Sequence, residues 1–177
     1  MSKPTLATIW LDGCSGCHMS LLDIDERILQ LGELVDVVCS PIVDHKKFPE
    51  HIDIALVEGS VSTDEDEHKI RVLRQRTRTL VAFGDCAVTG NVPAMRNAFP
   101  LAALFSRAYN ETATAQQQTP AERLPHLLKH ARPVHEIVPV DIYIPGCPPS
   151  ADTIFTVLTE LLAGRTPDIA ALTRIGA

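Results

Sequence analysis

Apolar positions change their period along the chain. Residues 5–11 (TLATIWL) form a short, β-branched run that ends in the small, turn-forming residues 12–17 (DGCSGC). From Ser20 onward Leu21, Ile24, Ile28 and Leu31 recur at spacings of three and four, which predicts the buried face of a helix. Asp23, Asp25 and Glu26 fall early in it, where the helix dipole favours acids, and Gly32 is the predicted stop. Residues 35–43 read as a second strand and residues 52–58 (IDIALVE) as a third, ending at Gly59. A fourth, residues 79–83 (TLVAF), runs into Gly84-Asp85-Cys86. A fifth, residues 140–144 (VDIYI), runs into Pro145-Gly146-Cys147-Pro148-Pro149.

Between the third and fourth strands, Ser62 and Thr63 precede Asp64-Glu65-Asp66-Glu67, with Arg71, Arg74 and Arg76 beyond. This acidic run has the look of a docking tract. A hydroxyl cap, an acidic first turn and a basic last turn are, however, the order that a helix selects. Ser150 is the predicted cap of a last helix carrying Ile154, Val157, Leu158, Leu161 and Leu162, stopped by Gly164.

Strands apolar on both faces, with helices between them, describe an α/β fold: a doubly wound parallel sheet of four or five strands. Residues 90–138 break the alternation. They carry Pro93, Pro100, Pro120, Pro125 and Pro133 and the polar tract 112–119. A long irregular segment is predicted there, with a short helix over residues 120–129 capped by Thr119. So long a connection is usually functional or bound to a partner.

A length of 177 residues implies a single domain, residues 1–177. Apolar residues at 45% suffice for one core, and 21% charged residues exclude a disordered polyelectrolyte. The net charge of −6 argues against nucleic acid or an anionic membrane as partner, since both select basic surfaces. No apolar run approaches the ~20 residues that span a bilayer. Met1-Ser2-Lys3-Pro4 shows neither a secretory stretch nor a twin-arginine signal, so a cytoplasmic location is expected.

Cysteine changes the picture. Cys14 and Cys17 follow the first predicted strand, Cys86 the fourth and Cys147 the fifth. In an open parallel sheet the carboxyl ends of the strands share one edge, where ligands bind. Four thiols distant in sequence should therefore converge. Cys39 falls inside the predicted strand 35–43 and reads as a small buried hydrophobe. Structural zinc usually takes two tight Cys-x2-Cys hairpins, and only Cys14-x2-Cys17 is such a pair. A redox dithiol explains Cys14 and Cys17 and ignores the other two. An iron–sulfur cubane accepts single thiolates from separate loops, and Gly13, Gly16, Gly84 and Gly146 beside the cysteines would let backbone N–H groups approach it. Residue spacing leaves these three open.

A family resemblance adds to this reading. Residues 11–23 (LDGCSGCHMSLLD), Val57-Glu58-Gly59-Ser60-Val61, Gly84-Asp85-Cys86-Ala87 and Ile144-Pro145-Gly146-Cys147-Pro148-Pro149 resemble the small subunit of nickel–iron hydrogenases. The run Cys14-Ser15-Gly16-Cys17-His18-Met19-Ser20 looks most like the soluble, bidirectional NAD-reducing type. A Pro-Gly-Cys-Pro-Pro block alone is shared with the cluster-bearing subunit of respiratory complex I. That relative has adjacent cysteines where this chain has Cys14-x2-Cys17.

The resemblance implies a flavodoxin-like fold and one 4Fe–4S cluster on Cys14, Cys17, Cys86 and Cys147. It implies electron transfer without catalysis by this chain alone. The nickel–iron centre would lie on a large subunit, and FMN and NAD on iron–sulfur and flavin diaphorase subunits, in a hetero-oligomer. The chain ends about 30 residues after Cys147 (177 − 147 = 30), without the further cluster domain of exported relatives, which again implies the cytoplasmic class. Glu58 and His18 are candidates for an interface or a proton path; the bland alternatives are a carboxylate held by backbone N–H groups and a packed imidazole. Trp10 is read as core. A flavin here is disfavoured, because cysteines occupy the loop that would hold its phosphate. The alternatives are the cluster-bearing subunit of a ferredoxin- or quinone-linked, complex-I-like or energy-converting hydrogenase assembly, and a structural zinc scaffold.

Overall fold

The computed structural model describes residues 3–173. Met1 and Ser2, part of the stretch read above for an export signal, lie outside the described residues. Five strands make a parallel sheet: β1 (Thr5–Trp10), β2 (Asp36–Cys39), β3 (Ile52–Glu58), β5 (Thr77–Phe83) and β7 (Ile142–Ile144), in the order β2-β1-β3-β5-β7. Counting only these five, the order is 2-1-3-4-5, that of flavodoxin-like folds, and the winding reverses between β1 and β3.

Alternate residues of each strand feed two separate cores. Leu6, Ile54, Leu56, Val81, Phe83 and Ile144 face one side. There they meet α1 (Gly16–Leu22), α2 (Arg27–Leu34) and α7 (Ala151–Leu162), with α8 (Ile169–Leu172) packed at its margin. Ala7, Ile9, Ala55, Val57, Leu80 and Ala82 face the other side, where α3 (Asp64–Arg76) contributes Ile70 and Leu73. Each fully buried Leu, Ile or Phe stabilises the fold by about 1.5–3 kcal/mol. Both faces are therefore covered, as the unbroken apolar strands required.

The helix expected from residue 20 to Gly32 is two helices. Asp25 takes φ 54°, a left-handed value that a short polar side chain tolerates, and this splits α1 from α2. Gly32 lies within α2, which ends at Leu34 because Val35 turns extended. Leu21, Ile24 and Leu31 are buried as predicted, but Ile28 is exposed. The acid run behaves as a helix start: the Thr63 side chain accepts from the Asp66 N–H, and the Asp66 side chain accepts from the Thr63 N–H. Ser150 caps α7 as expected.

Two further corrections concern β2 and the segment 90–138. The second strand ends at Cys39 rather than continuing to residue 43, because Ser40 and Pro41 turn the chain. No helix forms over residues 120–129. Instead Leu127–Arg132 is a strand, β6, that pairs antiparallel with β4 (Val61–Thr63) in a small second sheet. Upstream lie α4 (Asp85–Thr89), α5 (Asn91–Ala94), a 3-10 turn at Met95–Ala98, α6 (Leu101–Phe105) and a π-helical turn at Ser106–Glu111. Among the described residues no helix is long and apolar enough to cross a membrane.

Candidate metal centre

The loops after β1, β5 and β7 meet at the carboxyl edge of the sheet, beside the β1/β3 switch point. Backbone hydrogen bonds tie them together. Leu11 N–H donates to the Glu58 carbonyl at 2.8 Å, and Asp12 and Ser60 exchange N–H to carbonyl bonds at 3.1 and 2.8 Å. Gly59 has φ 90°, and a Cβ there would stand 2.8 Å from the Asp12 carbonyl oxygen, so only glycine permits the approach. Asp85 couples the two single-cysteine loops. Its N–H donates to the Gly146 carbonyl at 2.9 Å, and its Oδ1 accepts from the Gly146 N–H at 2.7 Å. Ser20 Oγ donates to the Pro149 carbonyl at 2.6 Å, closing the ring from the α1 side.

This stitching brings Cys14, Cys17, Cys86 and Cys147 together. Cys17 and Cys86 are buried, whereas Cys14 and Cys147 are exposed. Burial raises the pKa of the Cys17 thiol most; the Glu58 carboxylate, Cys86, Cys14 and Cys147 raise it further. Cys86 is likewise pushed up, first by burial and then by Cys147 and Cys14. Cys17 is thus within electrostatic reach of the other three cysteines, and Cys86 of Cys14 and Cys147. Yet among the described residues no three His, Cys, Asp or Glu side chains come close enough together to hold a single metal ion. A zinc ion needs its sulfurs about 2.3 Å from one centre.

These residues fit a larger, multi-metal group. The Cys17 and Cys86 thiols, which burial makes resist ionisation, are stabilised as thiolates by positive charge placed among the cysteines. The cradle is also clear of side chains: a Cβ on Gly84 would collide with Cys17 Sγ, and one on Gly16 would press Cys14 Sγ at 3.2 Å.

Cys39 is elsewhere. It is buried at the end of β2, in register with Ala7, in the core on the α3 side. Burial raises its pKa, as expected of an inert packing thiol.

Glu58 and His18 lie under the cysteines, not on the surface; they are 2% and 1% exposed. The Glu58 carboxylate accepts the N–H of Cys17 at 3.2 Å and that of His18 at 3.0 Å. It also bonds the His18 ring through Nδ1. His18 Nε2 meets Thr8 Oγ1 at 2.9 Å, and Thr8 meets Ser40 Oγ at 2.7 Å. Glu58 therefore holds the start of α1, the arrangement of a carboxylate satisfied by backbone N–H groups. Trp10, expected in the core, is 41% exposed, because it is the last residue of β1 and stands edge-on to His18 at 5.3 Å. Met19, Val92, Met95 and Phe99, which follow the cysteine loops in sequence, are exposed as well. Asp85 and Ser20 carry no signal of their own in the sequence. The Gly84-Asp85-Cys86 block contains the first, but a hydrogen bond to a loop 61 residues away leaves no periodic trace.

Comparison with known proteins gives the family of the chain and agrees with its fold. The family model described as NADH ubiquinone oxidoreductase, 20 Kd subunit, matches residues 14–161. The delta subunit of the NAD-reducing hydrogenase HoxS of Cupriavidus necator is 42% identical over 172 residues, covering 94% of this chain and 82% of that subunit. The delta subunit of sulfhydrogenase 2 of Pyrococcus furiosus is 33% identical over 162 residues, which cover 92% of this chain but only 63% of the relative's length. A chain of the NAD+-reducing [NiFe]-hydrogenase solved in the H2-reduced state superposes with a TM-score of 0.93 at 43% identity, covering 98% of this chain and 99% of that one. A [NiFeSe]-hydrogenase chain from Dm. baculatum, 18% identical with a TM-score of 0.61, shares the fold. This chain belongs to the family of the NADH ubiquinone oxidoreductase 20 Kd subunit and, within it, to the small subunits of NAD-reducing nickel–iron hydrogenases.

Proposed function

We propose that this chain is the electron-transfer small subunit of a cytoplasmic, NAD-reducing nickel–iron hydrogenase, and that Cys14, Cys17, Cys86 and Cys147 hold one 4Fe–4S cluster. The observation that carries this reading is the convergence of four cysteines from three strand ends at one edge of the sheet, in loops tied to one another by hydrogen bonds. A 4Fe–4S cluster bound there supplies one-electron transfer. The residues of the chain do the rest. Cys17 and Cys86 fix the inner side of the site, in a setting shielded from water. Cys14 and Cys147 present its outer side to partners. Glu58 pins the Cys17 loop by accepting two N–H groups and the His18 ring. The exposed Trp10, Met19, Val92, Met95 and Phe99 suit burial under a large subunit that carries the nickel–iron centre. Diaphorase subunits with iron–sulfur clusters and FMN would pass the electrons to NAD.

Metal analysis, low-temperature EPR and identification of copurifying subunits test this together. About four irons per chain and a reduced-cubane signal are expected. Those irons should survive Cys39→Ala and be lost in Cys86→Ala. A large subunit and soluble flavin-containing partners should copurify. Zinc in place of iron would overturn the cluster, and membrane partners would point instead to a quinone-linked assembly.

A further inference from the structure

The turn between α4 and α5 belongs to none of the blocks that carried the family resemblance, yet it reaches two of the four cysteines. Gly90 takes φ 85° and Asn91 takes φ 33°. This left-handed pair reverses the chain so that α5 begins beside the last cysteine loop. The Asn91 side chain donates its Nδ2–H to Cys147 Sγ at 3.5 Å. A thiolate only accepts, so the amide nitrogen is the end that belongs there. One residue back, the Gly90 N–H donates to the Cys86 carbonyl at 3.0 Å, which closes α4 against the same turn. Gly90 and Asn91 therefore tie this turn to both cysteines that stand alone in their loops, Cys86 through its carbonyl and Cys147 through its sulfur.

Position 91 makes two demands. The backbone needs a residue that tolerates positive φ, which restricts it to Gly, Asn or Asp in the main. The sulfur needs a donor. Asn meets both, Gly meets the first alone, and Asp replaces the donor by an acceptor with a negative charge.

Resting on the four-cysteine cluster reading, we propose that Asn91 is a positioning residue that raises the reduction potential of the cluster by hydrogen-bonding the sulfur of Cys147. Reduction adds one electron and neither makes nor breaks a covalent bond; no proton moves. The sulfurs become more negative, so a donor N–H is held more strongly in the reduced state than in the oxidised one. Because Cys147 is an exposed ligand, the bond sits on the side of the site open to partners.

The test uses the full chain reconstituted with iron and sulfide, as wild type, Asn91→Gly and Asn91→Asp. Iron and sulfide content and the EPR signal of the wild type come first, and they judge the cluster reading alone. EPR-monitored redox titrations then compare the three proteins. The expected order of midpoint potential is wild type above Asn91→Gly, with Asn91→Asp lowest. In wild type labelled with 15N-asparagine, pulsed EPR of the reduced cluster should show a nitrogen coupling that disappears in Asn91→Gly. A wild-type potential in a cluster-bearing Asn91→Gly protein would overturn the proposal, and so would the absence of the 15N coupling in the wild type. Loss of the cluster from both variants would also overturn it, because Asn91 would then be a residue of assembly rather than of tuning.

Discussion

Gly84 stands against the sulfur of Cys17: a methyl group on its α-carbon would take the place that the sulfur occupies. The same glycine has φ 85°, and its N–H donates to the Ile144 carbonyl at 2.8 Å, which joins the ends of β5 and β7. One residue without a side chain thus lets two cysteine loops close on a third. Gly84→Ala meets both obstacles at once, a backbone with positive φ and extended ψ that only glycine adopts readily, costing about 1–3 kcal/mol, and a steric conflict with the Cys17 sulfur. The expected outcome is a folded chain with less than half the wild-type iron. Iron analysis alongside far-ultraviolet circular dichroism checks it; a full iron complement in Gly84→Ala would contradict this close packing.

Glu58 makes a different contribution, because its carboxylate satisfies three donors or acceptors that have no water to turn to. Glu58→Ala strands the N–H groups of Cys17 and His18 and the Nδ1 atom of His18, all in a buried setting. Each unsatisfied buried group costs about 1–3 kcal/mol, so a loss of roughly 3 kcal/mol in folding stability is expected after partial relaxation. Glu58→Gln should lose less. Its amide oxygen still accepts one N–H, and its NH2 donates to an Nδ1 left bare when the ring proton sits on Nε2, facing Thr8. Urea unfolding of the three proteins measures this. An Ala variant within about 0.5 kcal/mol of wild type would mean that the network does not hold the loop.

Much of the fold is legible because it rests on local rules. Strand 52–58 has the bounds its sequence predicts, since an unbroken apolar run between turns has few other solutions. The caps at Thr63 and Ser150 follow from side chains that bond N–H groups three residues on. The four cysteines are readable because parallel strands place their loops on one edge. What stays hidden depends on contacts distant in sequence. The strand Leu127–Arg132 exists only because Val61–Thr63 is there to pair with it, and nothing in residues 120–129 announces that partner. Trp10 departs from its expected place because strand alternation does not say where the sheet ends. Asn91 looks like an ordinary turn residue until the loop of Cys147 folds beside it.

The segment 90–138, expected to be irregular apart from a short helix and to serve as cover or docking surface ordered by partners, is not uniform. Its second part is anchored in the domain: Ala131, Val134 and Val138 are buried, and the Asn97 side chain bonds both the N–H and the carbonyl of Ala131 at 2.8 Å. Arg96 adds bonds to the carbonyls of Leu128 and Ser62 at 3.0 and 3.2 Å. Residues 99–126 differ, since none of them is buried. Phe105 and Tyr109 stack at 6.3 Å beside an open groove of about 370 Å³ that Leu124 and Pro120 also line, and this is little apolar cover for so long a stretch. Backbone hydrogen bonds without a packed core open at low free energy. Hydrogen exchange on the isolated chain should therefore show residues 127–138 already protected and residues 99–126 exchanging fast. In the assembled complex, protection of 99–126 should rise at least tenfold while that of 127–138 changes little. Equal protection of 99–126 in the two samples would mean that this stretch takes no part in the interface, and the hetero-oligomer would have to be built on the apolar residues around Cys14 and Cys147 alone.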